Sequence, residues 1–169
     1  MADPRASRPY MPGYGILGPE EGTGLLRWSW ATERLAASHD YWLATTRPDG
    51  HPHVMPVWGT WQDGAVWFSS SGASRKTRNL TADPRAAITT DNALEPVVVE
   101  GTVERIVDRA LIVAFAEAVN AKYSTDYSAE FFTDNACFRL RPAWVFGLAE
   151  GDFAGSPTRW IFPTGRGSA

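Results

Sequence analysis

Apolar and polar residues alternate along most of the chain from residue 41 onward, and this pattern predicts β-strands. Runs rich in β-branched and aromatic residues cover 41–46, 53–61, 65–70 and 85–90, and the first three are separated by turns that contain Asp-Gly. A longer run covers 96–107, and further runs follow towards the C-terminus. We therefore expect about six or seven short antiparallel strands.

Three segments interrupt this pattern with helical features. Residues 30–38 and 109–122 have apolar residues at helical spacing, and Asp108 can cap the second of these helices. A shorter helix is expected between Ser74 and the Asp83-Pro84 pair. A mainly β chain with two or three short helices is typical of a small closed or half-open barrel.

The first 27 residues differ from the rest of the chain. They contain four prolines and five glycines, which favour irregular backbone over a packed element. The apolar groups between residues 10 and 17 are too many for a simple linker, so this arm can pack on the body or on a neighbouring subunit. We expect an irregular N-terminal arm over 1–27 and one domain over 28–169.

Composition narrows the class of protein. The chain has 169 residues and a formal net charge of -3, so a nucleic acid is not an expected partner. A single cysteine, Cys137, excludes an internal disulfide and a zinc cluster. The sequence has no apolar run of the length that a signal peptide or a membrane span needs. We expect a cytoplasmic protein without a membrane partner.

The segment 69–80 carries the clearest candidate chemistry. It begins at the end of a predicted strand and enters a predicted helix, whose first backbone N–H groups attract anions. Its hydroxyls and cations are Ser69, Ser70, Ser71, Ser74, Arg75, Lys76 and Arg78. This combination indicates a phosphate-binding site, although an ordinary capped surface helix would have similar residues.

Two strand positions are irregular. Pro56 cannot donate a hydrogen bond within a sheet, and Gly101 lacks a side chain in the middle of a long strand. Such residues mark an edge, a bulge or the approach of a ligand to the backbone. The sequence leaves these alternatives open.

The order of these motifs resembles the flavin-binding split-barrel family, which includes the pyridoxamine-phosphate oxidases and the deazaflavin-dependent oxidoreductases of actinobacteria. The resemblance rests on three stretches, 41–59, 66–80 and 83–101, and a weaker likeness continues from 141 to 160. It implies a split β-barrel in which two subunits pack side by side, with each cofactor in a groove at their interface.

The resemblance also implies which residues contact the cofactor. Ser74, Arg75 and Lys76 match the family's phosphate contact, and Arg78 and Asn79 would support it. Phe68 and Ser69 match the strand end beside the ribityl chain or phosphate. The strand that runs along the ring system supplies the remaining contacts: His53, Met55, Pro56, Val57 and Trp58.

Departures from the oxidase pattern indicate the cofactor. Pyridoxamine-phosphate oxidases have basic residues at both ends of the ring-side strand, where this chain has His53 and Trp58. The tryptophan-rich strand resembles instead the branch that uses coenzyme F-420. We expect hydride transfer from coenzyme F-420 to a small unsaturated or quinone-like substrate, with solvent, Tyr123 or Tyr127 as the proton donor.

Two alternatives keep the same fold. The protein could hold flavin mononucleotide (FMN) as a prosthetic group, or it could bind a cofactor or haem without catalysis. The imidazoles available for haem are those of His39, His51 and His53. Two of them, two residues apart on one strand face, are a weak ligand pattern without a third partner.

Overall fold

The computed structural model describes residues 4–163, and its architecture is mainly β. Nine strands lie within this range: β1 (Arg5–Ser7), β2 (Tyr41–Thr46), β3 (Pro52–Val57), β4 (Gly59–Gln62), β5 (Ala65–Ser70), β6 (Arg85–Thr90), β7 (Val97–Ile106), β8 (Ala136–Gly147) and β9 (Thr158–Ile161). Four α-helices accompany them: α1 (Trp28–Ala37), α2 (Arg75–Ala82), α3 (Arg109–Tyr123) and α4 (Ala129–Asp134). A short 3₁₀ turn covers Glu150–Asp152.

All strand pairs are antiparallel, and β8 connects the two parts of the sheet. The order β1-β9-β8-β7-β6-β2-β3 forms the main path, while β5 pairs with both β4 and β8. The first half of β8 pairs with β5 and its second half with β9, while β7 follows nearly the whole strand. The sheet therefore curls around one core, which confirms the expected split barrel.

A bulge at Gly101 accompanies this curvature. The register between β7 and β8 shifts between Glu100 and Gly101. A Cβ atom at position 101 would lie 1.9 Å from the carbonyl oxygen of Arg141, so no other residue fits this backbone path. Of the alternatives that the sequence leaves open, the structure shows the bulge.

The core has two parts. The larger lies inside the barrel and includes Tyr41, Phe68 and Trp160. The smaller lies between β5 and the helices α3 and α4, where Trp67 packs on Phe115. Because β5 contributes to both, its residues alternate between two buried faces, and this explains why Ala65, Val66, Trp67 and Phe68 are all buried.

Capping side chains fix where the helices begin. Ser74 accepts a hydrogen bond from the N–H of Thr77, and Asp108 accepts from the N–H groups of Ala110 and Leu111. Ser128 caps α4 in the same way. These caps satisfy backbone donors that would otherwise lack a partner.

The structure differs from the sequence prediction at several points. The predicted strand 53–61 is interrupted at Trp58 and forms β3 and β4. The helix α4 and the strand β1 were not predicted. The interruption and β1 each add one strand, and residues 4–163 contain nine.

The N-terminal arm is irregular after β1, yet it is attached to the body. β1 pairs with β9, and the guanidinium of Arg8 donates to the carbonyl oxygens of Pro157 and Gly18 at 2.8 Å each. The carboxylate of Asp152 accepts from both the N–H and the hydroxyl of Thr23. The arm thus packs on its own body in the part that the structure describes.

Candidate functional site

A cavity of about 340 Å³ lies where the ends of β3 and β5 meet the start of α2 and one side of α3 and α4. Its wall combines an apolar part with hydroxyls and one cation. The residues are Pro56, Val57, Trp58, Ser69, Ser70, Ser71, Lys76, Phe115, Val119, Tyr127, Phe131, Phe132 and Asn135. Its volume lies at the lower end of the range typical of small-molecule sites.

The polar end of the cavity is formed by the loop from β5 to α2. The hydroxyl of Ser74 lies 2.9 Å from that of Ser70 and caps α2, while the Thr77 hydroxyl donates to the Ser71 carbonyl at 2.9 Å. These bonds hold the loop against the helix. Ser74 therefore shapes the polar end, and Lys76 is the charged side chain that lines it.

Positive charge extends beyond the cavity along β3. The pKa of His53 is lowered by desolvation and by the neighbouring Arg47, Lys76 and Arg75. The Nε of Arg47 is buried and has no hydrogen-bond partner among residues 4–163. Three cations therefore lie within electrostatic reach of His53, and an anion bound near it would offset their effect on its pKa. Arg47 was missed by the sequence analysis because it lies in a turn outside the helix motif.

Two of the expected cofactor contacts need correction. Phe68 is fully buried in the barrel core, and Asn79 is fully buried beneath α2. The amide of Asn79 donates to the Thr45 hydroxyl at 2.9 Å and so ties α2 to β2. Neither side chain can touch a ligand in the cavity, because neither has exposed surface.

The remaining expected contacts divide into two groups. Pro56, Val57, Trp58, Ser69 and Lys76 line the cavity together. Five others lie outside the cavity wall: His53, Met55, Ser74, Arg75 and Arg78. Strand alternation places His53 and Met55 on the same face of β3 as Val57, so they continue the groove away from the cavity.

Trp58 is held by the last turn of α3. Its ring stacks on that of Tyr123, with centroids 4.3 Å apart and planes 6° from parallel. The neighbouring residue, Gly59, finds partners for both backbone groups on this turn. Its N–H donates to the Tyr123 hydroxyl at 3.0 Å, and its carbonyl accepts from the ammonium of Lys122 at 2.6 Å. The stack covers one face of Trp58, and the residue still lines the cavity.

Burial changes the ionisation of both residues on this turn. It lowers the pKa of Lys122 to about 8, although Asp40 and Asp91 act in the opposite direction. It also raises the pKa of Tyr123 to about 12. The Tyr123 hydroxyl donates to the carbonyl of His39 at 2.5 Å. This phenol is therefore a structural group, which makes it a poor proton donor for a substrate.

The helices α3 and α4 supply a cavity wall that sequence reasoning missed. Phe115 and Val119 come from α3, and Phe131 and Phe132 come from α4. The sequence predicts the apolar face of α3 but not what it packs against, and α4 is too short to show a helical period. The adjacent phenylalanines at 131 and 132 were the signal available, because two such residues on a short helix cannot both face the core.

Neither a metal site nor a membrane-spanning helix is found in the part of the chain that the structure describes. No group of three or more His, Cys, Asp or Glu side chains between residues 4 and 163 could hold a metal ion. Within the same range, every helix is too short or too polar to cross a lipid bilayer.

The family model of pyridoxamine 5'-phosphate oxidase matches residues 31–149, which is more than half of the chain. The chain belongs to this family. Members of this family bind flavin-type cofactors. No curated protein matches the sequence.

Solved structures agree with this assignment. An F420 reductase is 28% identical with a TM-score of 0.56, and the match covers 67% of this chain and 93% of that one. A heme binding protein from Mycobacterium smegmatis is also 28% identical, with a TM-score of 0.53 over 78% of this chain and 62% of that one. A conserved hypothetical protein from Mycobacterium tuberculosis shares the fold at 19% identity and a TM-score of 0.65, covering 85% and 93%.

Proposed function

We propose that this protein is an oxidoreductase that binds coenzyme F-420 and reduces a small unsaturated or quinone-like organic molecule. The observation that carries the proposal is the cavity itself. It joins a hydroxyl-rich strand end and Lys76 to an apolar wall at Val57 and Trp58. A cofactor with a phosphate at one end and a planar ring at the other needs this combination.

The polar end has the properties required to hold a phosphate. Lys76 lines it, and Lys76, Arg75 and Arg47 all act electrostatically on His53 of the neighbouring strand β3. The start of α2 adds backbone N–H groups and the positive end of the helix dipole.

The apolar end suits a planar ring. Pro56 and Val57 present hydrocarbon to the cavity, and Trp58 adds an aromatic surface whose other face is covered by Tyr123. The indole ring of Trp58 cannot rotate without breaking its stack on Tyr123, so its orientation towards the ligand is fixed. The wall therefore orients the ring and excludes water.

Reduced coenzyme F-420, when bound, supplies a hydride, and the substrate takes this hydride together with one proton. The chain contributes binding and orientation, which is sufficient for hydride transfer without an activated nucleophile. The proton comes from solvent or from Tyr127, which lines the cavity, because the Tyr123 phenol is engaged and its pKa is raised to about 12.

The active form is a homodimer in this proposal. The strand register aligns Val54, Ala44, Ala87, Glu100 and Trp144 in one row across the outer face of the sheet. An open groove of about 610 Å³ follows part of this row. Apolar residues are exposed beside it, with Val54 52% and Trp42 46% accessible. A second copy that packs on this face would cover them.

The test is a titration of the purified protein with coenzyme F-420 and, separately, with FMN, followed by tryptophan fluorescence. Saturable binding of coenzyme F-420 in preference to FMN supports the proposal, and reduced coenzyme F-420 is then offered to a set of quinones. Preference for FMN would replace the proposal with a flavoprotein. Binding of neither would refute it, and haemin would be titrated next.

A variant locates the binding site. Lys76→Ala should weaken coenzyme F-420 binding about 10- to 100-fold, because a hydrogen bond to a charged group contributes about 1.5–3 kcal/mol. Arg105→Ala is the matched control, since Arg105 is an exposed cation outside the cavity wall. If the wild type and Lys76→Ala bind coenzyme F-420 with equal affinity, the phosphate does not bind at this end of the cavity.

A further inference from the structure

The cavity has an aromatic wall that a phosphate-bearing cofactor does not require. This wall, the aromatic compartment, comes from α3, α4 and the residues that connect them. Its aromatic members are Phe115, Tyr127, Phe131 and Phe132. We infer that this aromatic compartment is the subsite for the second reactant, and that it selects an uncharged, planar aromatic molecule. The inference rests on the proposed function and specifies its substrate class.

Accessibility singles out two of these aromatic residues. Tyr127 and Phe131 stack on each other with centroids 4.6 Å apart, yet they remain 41% and 44% exposed. Phe115 and Phe132, in contrast, are almost completely buried and support them from below. A rigid aromatic pair with open surface on a packed base is the arrangement that binds a flat ring by stacking and edge contacts.

The loop that carries Tyr127 and leads into α4 is held in place by hydrogen bonds from α3. The amide of Asn120 on α3 donates to the Tyr127 carbonyl at 2.8 Å, and its oxygen accepts from the Tyr127 N–H at 3.0 Å. The same oxygen accepts from the Thr125 hydroxyl at 2.9 Å. The exposed rings therefore stand on an ordered connection between α3 and α4. A preorganised wall loses little conformational entropy when a ligand binds.

The charge distribution determines which molecules fit. Among the residues that line the cavity, Lys76 is the charged side chain, and it belongs to the opposite end. Asn135, at the end of α4, also lines the cavity, but it is uncharged and its amide N–H already donates to the Phe131 carbonyl at 2.8 Å. A charged ligand placed in the aromatic compartment would lose hydration without gaining a partner. An uncharged ring with one or two oxygen substituents has no such penalty.

The experiment uses menadione, an uncharged bicyclic quinone, as the probe. Its dissociation constant is measured by equilibrium dialysis on the wild-type protein and on Phe131→Ala and Phe131→Leu. We expect Phe131→Ala to weaken menadione binding about tenfold, since the ring contact is lost, with a smaller loss for Phe131→Leu. Both variants should bind coenzyme F-420 within about twofold of the wild type, because one residue truncated in a separate compartment leaves the phosphate and ring contacts intact.

Two controls separate this inference from the proposed function. Leu94→Ala removes an exposed apolar residue outside the cavity and should leave menadione binding unchanged. Lys76→Gln should weaken coenzyme F-420 binding and leave menadione binding unchanged. Unaltered menadione affinity in Phe131→Ala would overturn the inference, and so would a parallel loss of coenzyme F-420 affinity, because the wall would then hold the cofactor itself. If menadione behaves as expected and coenzyme F-420 does not bind, the subsite stands and the proposed cofactor is wrong.

Discussion

Removal of one oxygen atom, in the variant Tyr123→Phe, tests how the last turn of α3 supports the junction between β3 and β4. The hydroxyl accepts from the N–H of Gly59 at 3.0 Å and donates to the carbonyl of His39 at 2.5 Å. Gly59 is buried, so water does not readily replace the lost partner of its N–H. The aromatic ring is retained, and its stack on Trp58 with it. The variant therefore isolates the hydrogen bonds.

The expected loss of stability follows from these two bonds. A buried N–H left without a partner costs about 1–3 kcal/mol. The exposed His39 carbonyl can bond to water instead, so that loss adds about 0.5–1 kcal/mol at most. We expect the free energy of unfolding to fall by about 1.5–4 kcal/mol in total. For a chain of this length, that decrease corresponds to a fall in Tm of about 3–16 °C.

Urea denaturation followed by circular dichroism measures this change, with wild type and variant at the same protein concentration. Tyr10→Phe is the control, because the Tyr10 side chain is almost fully exposed and loses only contacts with water. Its free energy of unfolding should match that of the wild type within about 0.5 kcal/mol. A change of the same small size in Tyr123→Phe would refute the reasoning, because the hydroxyl would then not be the partner that stabilises Gly59.

Three further predictions concern charge and assembly. Addition of inorganic phosphate should raise the pKa of His53 in an NMR titration, because a bound anion offsets the cations that lower it; an unchanged value would place the anion elsewhere. As the pH rises from about 8 to 9.5, the free energy of unfolding of the wild type should increase relative to that of Lys122→Met, with a slope below about 1.4 kcal/mol per pH unit. The reason is that the pKa of Lys122 is lowered to about 8 in the folded protein, so the unfolded chain binds more protons in this range. A difference that does not change with pH in urea unfolding would contradict this. Trp42→Glu should convert the proposed dimer to a monomer in light scattering after size-exclusion chromatography, since it adds a charge to the outer face; an unchanged mass would exclude this face as the interface.

Local sequence signals predicted the elements whose stabilisation is also local. The bounds of β2, β5 and β6 match the predicted runs because their side chains alternate or lie in continuous apolar segments. The start of α3 follows from the Asp108 cap. In contrast, β1 has three residues and depends on pairing with β9 at the far end of the chain, so nothing nearby indicates it.

The same distinction applies to the candidate site. The motif from Ser69 to Lys76 is contiguous, and its position at a strand end followed by a capped helix could be predicted from the residues alone. The break at Trp58 could not, because α3 supplies the partners for the backbone of Gly59 from more than sixty residues away. Asn79 was misassigned for a related reason, since its partner Thr45 lies on β2 and its burial depends on how α2 packs.

The prolines of β3 have a consequence for how the molecule can assemble. Pro52 and Pro56 pair with Thr46 and Trp42 of β2, and β3 is the last strand of the main path of the sheet. Neither proline can donate a hydrogen bond to β2, so positions 52 and 56 are those whose backbone nitrogen points away from β2. Because backbone groups alternate in direction along an antiparallel strand, the nitrogens at positions 52, 54 and 56 all point towards the open edge. Proline removes two of these three donors and leaves only the N–H of Val54. The edge is therefore a poor template for an added strand, which protects the monomer against β-aggregation and confines a partner copy to contacts through side chains.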